Sequence, residues 1–143
     1  MESMVVDSSV VMKLFVEETY SENAYLLFSR MAEKEPPIFY VPDLIYIECS
    51  NVFIKYIKRY NYPLTFAKDN LKYLSLLPLS PIPVHEFFDD TFELASKLNI
   101  TTYDASYLVL AERLNCPFIT ADKKLLDKVK DRFKEALWIK DVK

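Results

Sequence analysis

The sequence predicts an α/β fold, in the form of a three-layer α/β/α sandwich around a central, mostly parallel sheet. Short apolar runs alternate with segments of helical periodicity from end to end of the chain, which is the pattern of successive strand and helix units. The 143 residues suit one domain, and a composition that is 51% hydrophobic and 27% charged supports a buried core. We therefore expect a single domain over residues 1–143.

The first half of the chain is predicted to contain two strands and four helices. Apolar residues at helical spacing mark the helices, and Pro36 and Pro37 end the second of them. In chain order, the predicted elements are a strand at Val5 and Val6, a helix capped by Ser8 or Ser9, a helix over 21–34, a strand over 38–41, and helices over 42–60 and 63–77.

The second half alternates strands and helices more regularly. Prolines at positions 78, 81 and 83 precede and interrupt its first strand, and because proline cannot donate to a neighbouring strand, they predict an edge position or an irregular backbone for it. In chain order, the predicted elements are a strand over 79–84, helices over 86–98 and 104–114, a strand over 117–120, a helix over 123–133, and a strand over 136–139.

The composition excludes several classes of protein. The chain has no glycine, and both the phosphate-binding loop of P-loop NTPases and the dinucleotide-binding fingerprint require it. Cys49 and Cys116 form no metal-binding or redox pattern, so both are expected to be buried thiols without a disulfide. No apolar segment is long enough to cross a bilayer and no leader pattern opens the chain, which predicts a cytoplasmic protein without membrane contact.

Four acidic residues follow or lie within apolar stretches and form the candidate site. Asp7 and Asp122 follow predicted strands, at the edge where parallel sheets gather functional groups. Asp104 begins a predicted helix, and Glu48 lies inside one on its apolar side. Clustered carboxylates repel one another and are offset by a cation, and a ligand set made only of oxygen favours Mg²⁺ or Mn²⁺.

Each of these acids also has a structural interpretation. Asp7, Asp104 and Asp122 occupy positions where aspartate commonly caps a helix, and Glu48 can extend to the edge of an apolar face. Taken singly, each aspartate is explained by capping as well as by metal binding. The joint pattern favours a site.

The order and context of these acids resemble the PIN-domain family, and within it the toxin ribonucleases of the VapBC type. Residues 5–15 look like the family's opening Asp-x-Ser segment, and 42–51 resembles its central Glu-x-x-Asn helix. Residues 102–125 reproduce its closing pair of acidic motifs at their usual separation. Asn115 stands where relatives often have glycine, but asparagine tolerates the left-handed conformation of a helix C-cap.

This resemblance implies a PIN-like fold and a metal-dependent endoribonuclease. It implies that Asp7, Asp104 and Asp122 bind Mg²⁺ or Mn²⁺, while Glu48 completes the cluster and orients or deprotonates the attacking water. It leaves one-metal and two-metal mechanisms open. It also implies an RNA substrate, a homodimer, and a cognate VapB-type antitoxin as partner.

Four further residues are candidates for supporting roles. Ser9 and Thr120 lie two residues from an acid, where a hydroxyl holds a water or fixes a carboxylate rotamer, although both also suit capping or turns. Asn51 lies one turn after Glu48 and either fixes a loop or touches substrate, and the structural role is favoured. Lys13 is a candidate phosphate contact, although a solvated helix face is the favoured interpretation.

Rival functions share parts of this pattern. A non-catalytic PIN module would use the same fold as a scaffold that binds RNA or protein. A metal-dependent phosphatase and a DNA flap nuclease share the carboxylate chemistry. The segment from Asp7 to Ser9 lacks the second aspartate of the haloacid-dehalogenase-type Asp-x-Asp motif, and the chain is short for a flap nuclease.

Overall fold

Five parallel strands form one sheet in the computed structural model, which describes residues 2–142. The order across the sheet is β3-β2-β1-β4-β5, and every neighbouring pair runs parallel. The strands are β1 (Ser3–Val6), β2 (Ile38–Pro42), β3 (Leu79–Ile82), β4 (Phe118–Thr120) and β5 (Ala136–Trp138).

Helices connect and flank these strands. In the described part of the chain, three short 3-10 turns accompany them at residues 30–32, 84–86 and 139–141. The helices are α1 (Ser8–Met12), α2 (Ser21–Ser29), α3 (Ile45–Tyr60), α4 (Leu64–Leu76), α5 (Phe88–Leu98), α6 (Thr102–Leu114) and α7 (Lys123–Val129).

The strand order reverses at β1, which lies at the centre of the sheet. Val5 pairs with Tyr40 of β2 on one side and with Phe118 of β4 on the other. The chain builds outward from β1 to β3 and then crosses over to β4 and β5. The carboxyl ends of β1 and β4 therefore lie side by side at the switch point, where open α/β sheets place their binding crevice.

Helix α6 is the central helix of the core. It packs on β1 and β2, and its residues 105–111 are all buried. A helix that is apolar on all sides is stable only when protein covers it on all sides, and α5 covers α6 from outside the sheet. Within residues 2–142, no helix combines the length and the apolar composition needed to cross a bilayer.

The predicted α/β fold is confirmed, and so is the edge position of β3. The ends of several elements differ from prediction. Helix α2 ends at Ser29, because residues 30–32 tighten into a 3-10 turn, and α7 ends at Val129. Pro42 closes β2, where it pairs in register with Ile82, and so does not open α3. Both cysteines are buried free thiols, as predicted.

Between residues 2 and 142, four residues adopt the left-handed backbone conformation that glycine normally supplies. Asn61, Asn99 and Asn115 have φ values of 51°, 54° and 51° and form the C-caps of α3, α5 and α6. The prediction that Asn115 serves as a C-cap is confirmed. Tyr20 has φ of 69° before α2, and its ring packs edge-on against Trp138 with the ring centroids 5.3 Å apart.

Candidate active site

Asp7 joins the end of β1 to the start of α1. Its backbone N–H donates to the Ile119 carbonyl of β4, so the sheet ladder continues through this residue. Its side-chain Oδ1 accepts a hydrogen bond from the Val10 N–H at 3.2 Å, which makes Asp7 the N-cap of α1. The predicted cap at Ser8 or Ser9 is wrong, because the helix already begins at Ser8 and the last extended residue is Asp7.

Two hydroxyl groups hold the Asp7 carboxylate. Ser9 Oγ donates to Asp7 Oδ1 and Thr120 Oγ1 donates to Asp7 Oδ2, each at 2.5 Å. The same hydroxyl oxygens accept from the two residues that follow β4: Ser9 Oγ from the Ala121 N–H and Thr120 Oγ1 from the Asp122 N–H. The network ties the ends of β1 and β4 together and fixes the rotamer of a carboxylate that is only 5% exposed.

We expect Thr120→Val to lower the free energy of unfolding by about 3 kcal/mol. Valine keeps the side-chain shape but leaves one Asp7 oxygen without its donor and the Asp122 N–H without its acceptor. The measurement is urea denaturation in the presence of chelator. Thr65→Val, at an exposed position in α4, is the control and is expected to change stability by no more than about 0.5 kcal/mol. Equal stability of the two variants would contradict the network's role.

Asp104 and Asp122 begin two other helices. Asp122 caps α7, with its Oδ1 accepting from the Leu125 N–H at 3.0 Å. Asp104 is not a cap, since Thr101 fills that position by accepting the Asp104 N–H, and the Asp104 carboxylate is therefore not used in capping. Both acids line a cavity of about 400 Å³ whose wall also carries two lysines, Lys124 and Lys128.

Glu48 enters the site from the first turn of α3. Its Oε1 accepts a hydrogen bond from the Tyr107 hydroxyl of α6 at 2.5 Å. Tyr107 is 1% exposed and its ring packs near Phe118. Sequence reasoning missed Tyr107. The available signal is its spacing, because Tyr107 lies three residues after Asp104 and so shares a face of α6 with that acid.

A second cavity lies beside Glu48. It has a volume of about 440 Å³, and we name it the Tyr103 cavity. Asn51 is exposed in its wall. Its lining includes Leu44, Ile47, Glu48, Asn51, Lys55 and Tyr103.

Lys13 is placed away from both cavities. It is buried, and its Nζ donates to the Thr19 carbonyl at 2.6 Å and lies 3.9 Å from the Glu18 carboxylate. The ammonium group thus holds the loop between α1 and α2. Contact of Lys13 with substrate stays a prediction, and this geometry does not support it.

The charges of Asp104 and Asp122 act on other acids of the candidate site. Burial raises the pKa of Asp7 to about 7, and the charge of Asp104 adds to this rise. Burial and the charge of Asp104 also raise the pKa of Glu48. The pKa of Asp104 itself is raised by burial and by the charge of Asp122. Asp104 is thus the acid whose charge connects the cluster.

The donor set suits a hard divalent cation. It consists only of carboxylate and hydroxyl oxygens. Its negative charges repel one another and are partly buried, and a bound cation would offset that repulsion. In the part of the chain from residue 2 to 142, no three acidic, histidine or cysteine side chains are grouped closely enough to enclose an ion as they stand.

Fold and site together define a class: a parallel α/β protein with an acidic crevice at the switch point of its sheet. Comparison with known proteins makes this more specific. The family model described as PIN domain matches residues 4–131, and the chain belongs to the PIN-domain family. The predicted resemblance is confirmed.

Curated relatives carry the name VapC. Ribonuclease VapC3 of Pyrobaculum aerophilum is 31% identical over 128 residues, covering 87% of this chain and 93% of the relative. Ribonuclease VapC9 of Mycobacterium tuberculosis is 32% identical over 88 residues, covering 62% and 68%. The crystal structure of PAE2754 from Pyrobaculum aerophilum superposes with a TM-score of 0.70 at 22% identity, covering 97% of this chain and 85% of that one. At 22% identity, the likeness to this crystal structure is evidence for the fold alone.

Proposed function

We propose that this chain is a metal-dependent endoribonuclease, the toxin component of a VapBC-type toxin–antitoxin system. The observation that carries the proposal is that burial and the charge of Asp104 raise the pKa of both Asp7 and Glu48, while burial and the charge of Asp122 raise the pKa of Asp104. The relatives named as VapC ribonucleases support RNA as the substrate. The bond cleaved is a phosphodiester.

Three aspartates would hold Mg²⁺ or Mn²⁺. Asp7 is fixed by Ser9 and Thr120, so its carboxylate is preorganised and immobile. Asp104 and Asp122 lie in the wall of one cavity, where their carboxylates face the same space. When bound, the cation supplies positive charge beside the scissile phosphate and lowers the pKa of water.

Glu48 has a different role from the three aspartates. Its Oε1 is fixed by the Tyr107 hydroxyl, which leaves Oε2 to accept a proton from the attacking water. Burial raises the pKa of Glu48 and so makes its carboxylate a stronger proton acceptor than an exposed one. Tyr107 acts through Glu48 as a positioning residue.

The proposed partners are RNA, a cognate VapB-type antitoxin and a second copy of the chain in a homodimer. Large apolar side chains on α3 and α4 lie exposed, which is unusual for surfaces without a partner. They are Ile47, Ile54, Tyr60, Leu64, Phe66, Tyr73 and Leu76.

One observation favours the alternative of a non-catalytic scaffold. Among residues 2–142, no three candidate ligands are already grouped around a point that an ion would occupy. A scaffold would bind RNA or protein without metal, and its binding would tolerate Asp7→Asn.

The test is cleavage of a mixed RNA pool by the purified protein with Mg²⁺, with Mn²⁺ or with chelator. We expect cutting only with a divalent ion, and none by Asp7→Asn. Asp69→Asn is the matched control, because it removes the same charge from an exposed position in α4. No cutting with either ion, together with RNA binding unchanged in Asp7→Asn, would refute the nuclease and favour the scaffold.

A further inference from the structure

The Tyr103 cavity lies beside Glu48 and is separate from the cavity that Asp104 and Asp122 line. The two cavities have different lining residues. Its volume of about 440 Å³ is in the range of small-molecule sites. Its wall includes Glu48, one of the four acids. Much of the rest of the lining is apolar or aromatic.

Two large side chains in this wall are strongly exposed. Tyr103 is 59% exposed and Ile47 is 75% exposed. Tyr103 immediately precedes Asp104 in the first turn of α6, so the backbone positions of the ring and the acid are adjacent. An exposed aromatic ring on a rigid helix is suited to stacking against another flat, partly apolar group.

Polar groups of α3 extend along the same wall. Glu48, Asn51 and Lys55 are spaced by three and four residues, which places them on one face of the helix. The helical rise separates Glu48 from Lys55 by about 10 Å along the axis. The Asn51 amide offers both a donor and an acceptor, and the Lys55 ammonium offers a positive charge.

We propose that the Tyr103 cavity binds one unpaired base of an RNA strand whose adjacent phosphate lies at the four acids. The base stacks on the Tyr103 ring, its edge contacts the Asn51 amide, and the next phosphate along the strand is contacted by Lys55. This inference rests on the proposed function for its RNA substrate. It adds a requirement for a single-stranded segment at the cleavage point.

A nucleotide matches this cavity better than other occupants do. The flat base suits the exposed ring and the apolar wall, the polar edge suits the amide, and the phosphate suits the lysine. A duplex keeps its bases stacked inside and offers none of them to the ring. An apolar peptide side chain would leave both Asn51 and Lys55 without a matching group.

The test measures binding rather than cleavage. A labelled single-stranded RNA is titrated with the protein in Ca²⁺, with a gel to confirm that the RNA stays intact, and fluorescence anisotropy gives the Kd. We expect Tyr103→Ala to raise Kd by about 5- to 100-fold and Tyr103→Phe to leave it nearly unchanged, because phenylalanine still stacks. Phe92→Ala, which removes an aromatic ring that is 69% exposed from α5, is the matched control and should bind like wild type.

A second measurement uses RNAs that each lack a single base. We expect one such position to weaken binding to wild type and to have no effect on binding to Tyr103→Ala, because the stacking partner is already gone. The proposal would be overturned if Tyr103→Ala bound single-stranded RNA as tightly as wild type does. It would also be overturned if the wild-type protein bound duplex and single-stranded RNA equally well, and a protein partner would then be the favoured occupant of the cavity.

The outcomes separate this inference from the nuclease itself. Metal-dependent cleavage with no loss of RNA affinity in Tyr103→Ala would refute the base cavity alone. A base-specific loss of binding without any cleavage would support the cavity and refute the nuclease.

Discussion

Asp104→Asn is expected to lower the rate of RNA cleavage by at least about 100-fold and to raise the thermal stability of the metal-free protein. The first effect follows because the substitution removes a proposed cation ligand from the centre of the cluster. The second follows because burial and Asp122 disfavour the charged form of Asp104, whose own charge raises the pKa of Asp7 and Glu48. Asparagine keeps the size of the side chain while removing the charge.

Both effects are measurable on the same preparation. Cleavage is followed at saturating Mg²⁺ or Mn²⁺, and the melting temperature is recorded in chelator. Asp69→Asn makes the same change of charge on exposed α4 and is expected to alter neither quantity appreciably. A variant that cleaves near the wild-type rate would remove Asp104 from the catalytic site, and a lower melting temperature would contradict the repulsion argument.

The metal-free protein is expected to lose stability as pH rises from about 4 to about 7. Folded Asp7 keeps its proton up to about pH 7, whereas in the unfolded chain it releases the proton near its ordinary pKa of 3.8. Between these values the folded state binds more protons, so raising the pH favours unfolding. The contribution of Asp7 is present in full below its unfolded pKa and amounts to roughly 4 kcal/mol lost by the top of this range.

Asp7→Asn should remove most of this dependence. Asparagine stays neutral, and the hydroxyl group that faces its new N–H donor can turn its own hydrogen away and accept instead. Urea denaturation across the same pH range, in chelator, compares the two proteins. A wild-type free energy of unfolding that rises with pH, or a variant with an unchanged slope, would contradict the assignment of the pH dependence to Asp7.

The elements of the fold were largely predictable, because the relevant signals are local. Apolar runs marked the strands, and the prolines around β3 correctly placed it at an edge. Helix ends were less predictable. Nothing local in the sequence distinguishes the 3-10 turn after Ser29 from a further turn of α2, and α7 was expected to continue past Val129.

The site shows the same division between local and distant interactions. Asp7 and Asp122 were predicted at the strand ends from the sequence pattern, and the sheet order then brings those ends together. The bond from Tyr107 to Glu48 joins residues 59 positions apart on two helices. That contact depends on how α6 and α3 are placed relative to one another, which no periodicity in either helix specifies.

The asparagines that take the left-handed conformation at the helix C-caps also affect the conformational entropy of the unfolded chain. Asparagine at positions 61, 99 and 115 accepts the same turn geometry as glycine, but its Cβ restricts the backbone conformations open to it before folding. The unfolded ensemble is therefore smaller than that of a chain with glycine at these caps, and less conformational entropy is lost when they form. These three residues thus contribute to stability by an effect on the unfolded chain that no contact in the folded protein displays.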